Sequence, residues 1–172
     1  MIVPGESLCL KAAMSRSLLT APPIFLTVCT GNVCRSPMAE ALFRHAFAAK
    51  GVPVEVFSRG IAAPVGRRPH ESAIQVASTN GVPISPDKRA EQLTSSDVGA
   101  AFLVLVMEHE QRLFIQQRYP KVSGKVFLLG KWKNLEIDDP INEPPAMFER
   151  VWLEIKNSVD DWVGQLTAAK MI

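Results

Sequence analysis

The run Ile24-Phe-Leu-Thr-Val28 feeds without a linker into Cys29-Thr-Gly-Asn-Val-Cys-Arg35 and then into Ser36-Pro37. No other stretch constrains the fold as tightly. An apolar, β-rich run of this kind reads as a buried strand, and Gly31 with Asn32 reads as a turn. Ser36 stands where a helix N-cap belongs and Pro37 where the first helical residue belongs, followed by Met38, Ala39, Glu40, Ala41, Leu42 and Phe43 at helical spacing. The expected unit is strand, loop, helix, with Cys29 at the end of the strand and Arg35 on the same loop.

That unit has a chemistry. Successive N–H groups of such a loop converge, and the helix N-terminus adds partial positive charge, which together suit a phosphate dianion. The loop residues Thr30, Gly31, Asn32, Val33, Cys34 and Ser36 are therefore the expected substrate-binding set. Arg35 would complete the cradle, because a planar guanidinium holds two phosphate oxygens at once, which a lysine cannot do. The same field favours the thiolate of Cys29, the form in which a cysteine is a nucleophile. Cys34, sharing the loop, is expected either to trap an oxidised Cys29 as a resolving thiol or to fill the loop's interior.

The rest of the chain alternates strands and helices. A second strand is expected at Val52–Phe57, at a sheet edge because Pro53 is disfavoured in a centre, ending at Ser58-Arg59-Gly60. Glu71–Asn80 has helical spacing and a stop at Asn80-Gly81. Ala100–Val106 is a continuous apolar strand of the type buried on both faces of a parallel sheet. A helix over 108–118, a strand over 125–129 and a long final helix over 145–167 complete the series. This order predicts an α/β fold, a doubly wound sheet of four parallel strands with helices on both faces and ligands beyond the strands' carboxyl ends.

At 172 residues with 47% apolar side chains, the chain can bury one sizeable core. A net charge of +2 argues against a nucleic-acid partner. No apolar run is long enough to span a membrane, and three cysteines make no disulfide framework, so a cytoplasmic, reducing setting is expected. Residues 1–23, bordered by Pro22-Pro23, read as a mobile N-terminal extension, and residues 24–172 as the catalytic domain. His45, His70 and His109 have no metal-site spacing and read as surface or packing residues. Neither a metal nor a cofactor is expected. Trp152 and Trp162 read as core residues of the last helix, and Trp132 as a candidate for the active-site rim.

Expelling a phenolate or alkoxide is easier if a side chain gives it a proton. The long segment 130–145 follows a strand, emerges at the carboxyl edge, and carries Asp138-Asp139-Pro140. Either aspartate could serve.

The string Cys29-Thr-Gly-Asn-Val-Cys-Arg-Ser-Pro-Met-Ala-Glu-Ala41 resembles the low molecular weight protein tyrosine phosphatases, and the resemblance runs from about Ile24 to Leu166. It implies Cys29 as nucleophile, Arg35 as phosphate clamp, Ser36 as the hydroxyl that stabilises the departing sulfur, and Asn32 as the residue holding the loop's shape. It also points to Asp139, directly before proline, as the general acid and then the general base, with Asp138 the alternate. Gly60–Gly66, Val106-Met-Glu108 and Gly124–Trp132 look most like the bacterial members that partner tyrosine autokinases in polysaccharide export. Three departures stand out: Ile141 replaces an aromatic residue after aspartate-proline, Ala62-Ala63-Pro64-Val65 offers no aromatic wall, and Lys88 and Glu91 replace a histidine and an arginine.

Hydrolysis of protein phosphotyrosine through a phosphocysteine is thus the leading expectation. Phosphoarginine phosphatase follows, disfavoured by Val33 where the related enzymes carry threonine. Arsenate reductase would need further cysteines, and none follows Cys34. A non-enzymatic phospho-binding module would need neither nucleophile nor acid.

Overall fold

A computed structural model describes residues 21–172; residues 1–20, most of the expected N-terminal extension, lie outside the described residues. Four strands, β1 (Ile24–Cys29), β2 (Glu55–Gly60), β3 (Leu103–Val106) and β4 (Val126–Leu128), form one parallel sheet in the order β2-β1-β3-β4. Among the described residues five α-helices accompany them: α1 (Arg35–Lys50), α2 (Glu71–Thr79), α3 (Ser95–Ala100), α4 (His109–Arg118) and α5 (Pro145–Ala168). The expected α/β architecture of four parallel strands is the one observed.

Alternation along β1 explains the two helical layers. Phe25 and Cys29 face a core shared with Phe43 and Phe47 of α1, Ala73 and Val76 of α2, and Trp152, Ile155 and Trp162 of α5. Leu26 and Val28 face the opposite core with Val98 of α3, Ile115 of α4, and Val104 and Val126 of the neighbouring strands. Phe25 meets Phe43 and Phe47 edge-on at 5.9 and 5.1 Å. Truncating this fully buried ring would cost roughly 3–5 kcal/mol.

The register places the site. Cys29 pairs with Gly60, Val28 with Val106, and Val106 with Leu128, so the carboxyl ends of all four strands finish at one level. Because β1 has β2 on one side and β3 on the other, the winding reverses beside it, and a crevice opens at its carboxyl end. Cys29 stands at that point. Gly60 is required there, since a Cβ on it would lie 2.8 Å from the Thr30 carbonyl oxygen and 3.0 Å from the Asn32 nitrogen.

Several element boundaries differ from expectation. α1 begins at Arg35 with Cys34 as its N-cap, and Ser36 makes no cap because its hydroxyl is engaged inside the loop. β2 runs three residues later than expected, over Glu55–Gly60, leaving Pro53 outside an edge strand. α3 was not expected. Its signal is the capping box of Thr94 and Asp97, which shortens the following strand to Leu103–Val106. The segment 130–144 is not wholly irregular: it holds a 3-10 turn at Lys131–Lys133 and a bridge between Gly130 and Leu135.

Candidate active site

The loop between β1 and α1 is tied down from within. Asn32 adopts a left-handed φ of 53°, which asparagine tolerates better than most residues, and its own N–H donates to Cys29 Sγ at 3.2 Å. Its side chain is completely buried and fully used. Nδ2 donates to Ser36 Oγ at 2.8 Å and to Ser58 Oγ at 2.9 Å, while Oδ1 accepts from the Glu91 N–H at 2.9 Å. With an Oγ lone pair of Ser36 taken by Asn32, the Ser36 hydrogen is left for Cys29 Sγ at 3.0 Å or the Arg59 carbonyl at 3.3 Å. The Asn32 N–H and the Ser36 hydroxyl thus both lie within hydrogen-bond distance of the sulfur.

A second tier supports the first. Ser58 Oγ donates to Glu40 Oε2 at 2.5 Å, and Lys88 Nζ lies 3.4 Å from the same oxygen while donating to the Ser58 carbonyl at 3.1 Å. Arg44 reaches the other Glu40 oxygen at 2.9 Å. Thr27, buried in β1, donates to the Ser36 carbonyl at 3.0 Å. Lys88, one of the family departures, therefore stands behind the loop as part of a buried ion pair. Glu91, the other, contributes its backbone N–H to Asn32 and its carboxylate to Arg59 at 3.0 Å.

Arg35 is the largest fully buried side chain described. Its Nη1 donates to the Ile137 carbonyl at 2.8 Å and to Glu108 Oε1, and its Nη2 donates to Asp139 Oδ2 at 2.9 Å. Burial works against its charge, but Cys29, Glu108 and Asp139 outweigh that and hold its pKa above the ordinary arginine value. Its Nε is buried without a hydrogen-bond partner among the described residues. The N–H groups of Gly31, Val33, Cys34 and Arg35 likewise bond no acceptor among the described residues, the donor set an oxyanion would use.

The two aspartates separate clearly. Asp139 reaches Arg35, whereas Asp138 points outward, 61% exposed, to Arg150 at 3.3 Å. What brings Asp139 in is Ile137, fully buried, whose N–H donates to the Met107 carbonyl at 3.0 Å. Glu108 and Gln111 were missed by sequence reasoning. Gln111 caps Glu108 and donates to Thr30 Oγ1 at 3.2 Å, joining α4 to the loop. The available signal was position, since Glu108 stands two residues past the carboxyl end of a buried strand.

Cys34 is 2% exposed, and burial first, then Asp139 and Cys29, push its thiol up to about 12. Arg35 and Arg67 oppose that rise. The burial of Cys34 is what a residue filling the loop's interior would show.

Trp132 does not approach this rim: it packs edge-on against Trp162 at 5.4 Å. Trp152 and Trp162 are buried in the core. His45 and His109 are exposed, and His70 caps α2 through Nδ1 and stacks on Phe148. Among the described residues no His, Cys, Asp and Glu side chains group to hold a metal, and no helix is long and apolar enough to cross a membrane. A groove of about 500 Å³ between α2 and α5, lined by Val76, Trp152 and Leu153, shares none of the loop residues.

Comparison with known proteins gives a consistent picture. A family model described as low molecular weight phosphotyrosine protein phosphatase matches residues 24–171. The Ralstonia solanacearum protein named "Probable low molecular weight protein-tyrosine-phosphatase EpsP" is 43% identical over 143 residues, covering 83% of this chain and 95% of that protein. The solved structure of the Erwinia amylovora tyrosine phosphatase amsI matches with a TM-score of 0.78 at 34% identity, covering 86% of this chain and 95% of the other. The YwlE arginine phosphatase from Geobacillus stearothermophilus matches with a TM-score of 0.78 at 31% identity, covering 87% and 96%.

Proposed function

The chain belongs to the low molecular weight phosphotyrosine protein phosphatase family and is a hydrolase, and on that premise we propose that it hydrolyses protein phosphotyrosine in two steps through a phosphocysteine. The observation that carries this reading is the single constellation of Cys29 Sγ under two donors, a loop of unpaired N–H groups, and Arg35 bonded to Asp139.

In the first step the loop N–H groups and Arg35 hold the phosphoryl oxygens, and Cys29 Sγ attacks phosphorus opposite the ester oxygen. The S–P bond forms as the P–O bond breaks, and the Asp139 carboxyl gives its proton to the departing phenolate. In the second step the Asp139 carboxylate takes a proton from water, the water oxygen bonds phosphorus, and the S–P electrons return to Cys29. Ser36 Oγ–H and the Asn32 N–H receive that negative charge as it develops, with donors already in place. No cofactor enters either step.

Rapid acid quenching with a phosphotyrosine peptide, followed by mass spectrometry, should find phosphate on Cys29, most heavily in Asp139→Asn. Substantial steady-state turnover by Cys29→Ser would overturn the covalent route. A phosphoarginine peptide belongs in the same assay, because Ile141 and Val65 provide no aromatic wall and the arginine phosphatase YwlE is among the structural matches. Faster release from phosphoarginine than from phosphotyrosine would reverse the assignment. The resemblance to members that serve polysaccharide export makes a bacterial tyrosine autokinase the protein substrate to try, and the cytoplasm the compartment in which to look for it.

A further inference from the structure

One wall of the site has a charge pattern that the reaction above does not use. Residues 62–70 run alongside the phosphate loop and are bonded to it at both ends, by the Ala62 N–H to the Thr30 carbonyl at 2.9 Å and by the His70 N–H to the Val33 carbonyl at 2.7 Å. The segment 85–91 is stitched to this wall: Gly66 N–H donates to the Ala90 carbonyl at 2.9 Å, and Ala90 N–H donates to the Arg67 carbonyl at 2.8 Å. Ala90 is buried, while Arg89 on one of these two stitched segments and Arg67 and Arg68 on the other are all exposed.

None of the three has a carboxylate within ion-pair distance among the described residues. By contrast Arg35, Arg59 and Lys88, the basic residues in and behind the phosphate loop, are all paired. Arg89 is held in place by its Nη1, which donates to the Pro86 and Lys88 carbonyls at 2.9 and 2.8 Å. Glu91, two residues after Arg89, is drawn to Arg59 at 3.0 Å. The neighbouring stretches 62–66 and 138–142 carry no aromatic residue, their larger apolar side chains being Val65 and Ile141, so exposed charge is the feature of this wall that can discriminate among peptides.

We propose that Arg67, Arg68 and Arg89 form a docking surface for anionic groups flanking the phosphorylated residue, making peptides with a neighbouring carboxylate side chain or second phosphoryl group the preferred substrates. This rests on the phosphotyrosine reading given above. Rim charges of this type act mainly through encounter and are screened by salt.

The test uses the full chain and three synthetic peptides that share one phosphotyrosine: neutral flanks, glutamate flanks, and an adjacent second phosphotyrosine. For wild type at low salt, kcat/KM should favour both anionic peptides over the neutral one by about tenfold, from roughly 2–5-fold per exposed pair. About 0.3 M NaCl should shrink that preference. The triple variant Arg67→Ala/Arg68→Ala/Arg89→Ala should lose the preference and keep its rate on the neutral peptide, which reports that fold and chemistry are intact. A preference for only the doubly phosphorylated peptide would assign the surface to phosphoryl groups, and a preference for both would assign it to anions generally. Equal rates on all three peptides in wild type, or a preference surviving in the triple variant, would overturn the docking surface and leave the phosphatase reading standing. No hydrolysis of any peptide would instead overturn the phosphatase reading and this inference with it.

Discussion

Removing the charge of Glu40 tests whether the active-site loop is held from behind. Glu40 and Lys88 are buried, with side chains 9% and 7% exposed, and lie 3.4 Å apart. Glu40→Gln keeps the shape but leaves the Lys88 ammonium with the Ser58 carbonyl as its remaining strong partner. Stranding one member of a buried pair costs about 3–5 kcal/mol, a large share of a total stability of roughly 5–15 kcal/mol. Lys88→Met should cost less, about 1.5–3 kcal/mol, because Glu40 keeps Arg44 at 2.9 Å and Ser58 at 2.5 Å. The double variant should be less destabilised than the sum of the two, since neither charge is then stranded. Urea denaturation of the four proteins reads all three terms. The same substitutions should lower kcat on an aryl phosphate by up to roughly 100-fold, through misplacement of Ser36 and Cys29, with a smaller effect on KM. If Glu40→Gln matched wild type in both stability and kcat, the chain Lys88–Glu40–Ser58–Asn32 would not be what holds the loop.

Cys29→Ser should abolish turnover while still binding vanadate or phosphate, and Arg35→Lys should lose both, as isothermal titration and steady-state rates can tell. Asp139→Asn should slow aryl phosphates with poor leaving groups by roughly 10²–10⁴-fold and activated ones far less; Asp138→Asn, exposed and paired only with Arg150, should leave the leaving-group dependence unchanged. Cys34 gives a pH prediction. Its folded value of about 12 lies above the ordinary 9.0, so the folded state holds this proton more tightly. The associated stability is fully present below pH 9 and is lost as pH rises towards 12, up to about 4 kcal/mol for a shift of that size. Cys34→Ala should therefore lose less stability than wild type between pH 8 and pH 11 in urea titrations.

What was legible in the sequence was local or periodic. The strand–loop–helix unit, the four parallel strands and the long last helix follow from apolar runs, turn residues and helical spacing, and Cys29, Arg35 and Asn32 stand within seven residues of one another. The misreadings have a common cause. Ser36 looked like a cap because nothing in its neighbours says that a buried asparagine and a thiol four and seven residues back would claim its hydroxyl. Thr94 and Asp97 did announce a cap, yet the apolar run after them concealed a helix of six residues. Ser58 and Glu108 join the site from neighbouring strands, where the register of β1 with β2 and β3 brings them, and Lys88 reaches it from a loop through the Ser58 carbonyl.

The resting arrangement of Arg35 has a mechanistic consequence of its own. The guanidinium that would clamp phosphate already holds the acid, with Nη2 on Asp139 Oδ2 at 2.9 Å and Nη1 on Glu108 and the Ile137 carbonyl. Nε, by contrast, is buried and unpartnered among the described residues. An arriving phosphoryl group can therefore meet Nε and the loop N–H groups first, and must share or displace Asp139 at Nη2. Displacement would free the Asp139 side chain, 37% exposed, to turn to the leaving-group oxygen only when a substrate is present. Replacing Glu108 removes the other charged partner and should pull Asp139 and Arg35 closer together. Glu108→Gln is then expected to weaken inhibition by phosphate severalfold and to lower kcat/KM, while Asp139→Asn tightens phosphate binding. Equal phosphate inhibition constants across wild type, Glu108→Gln and Asp139→Asn would mean that the acid and the anion do not compete for Arg35.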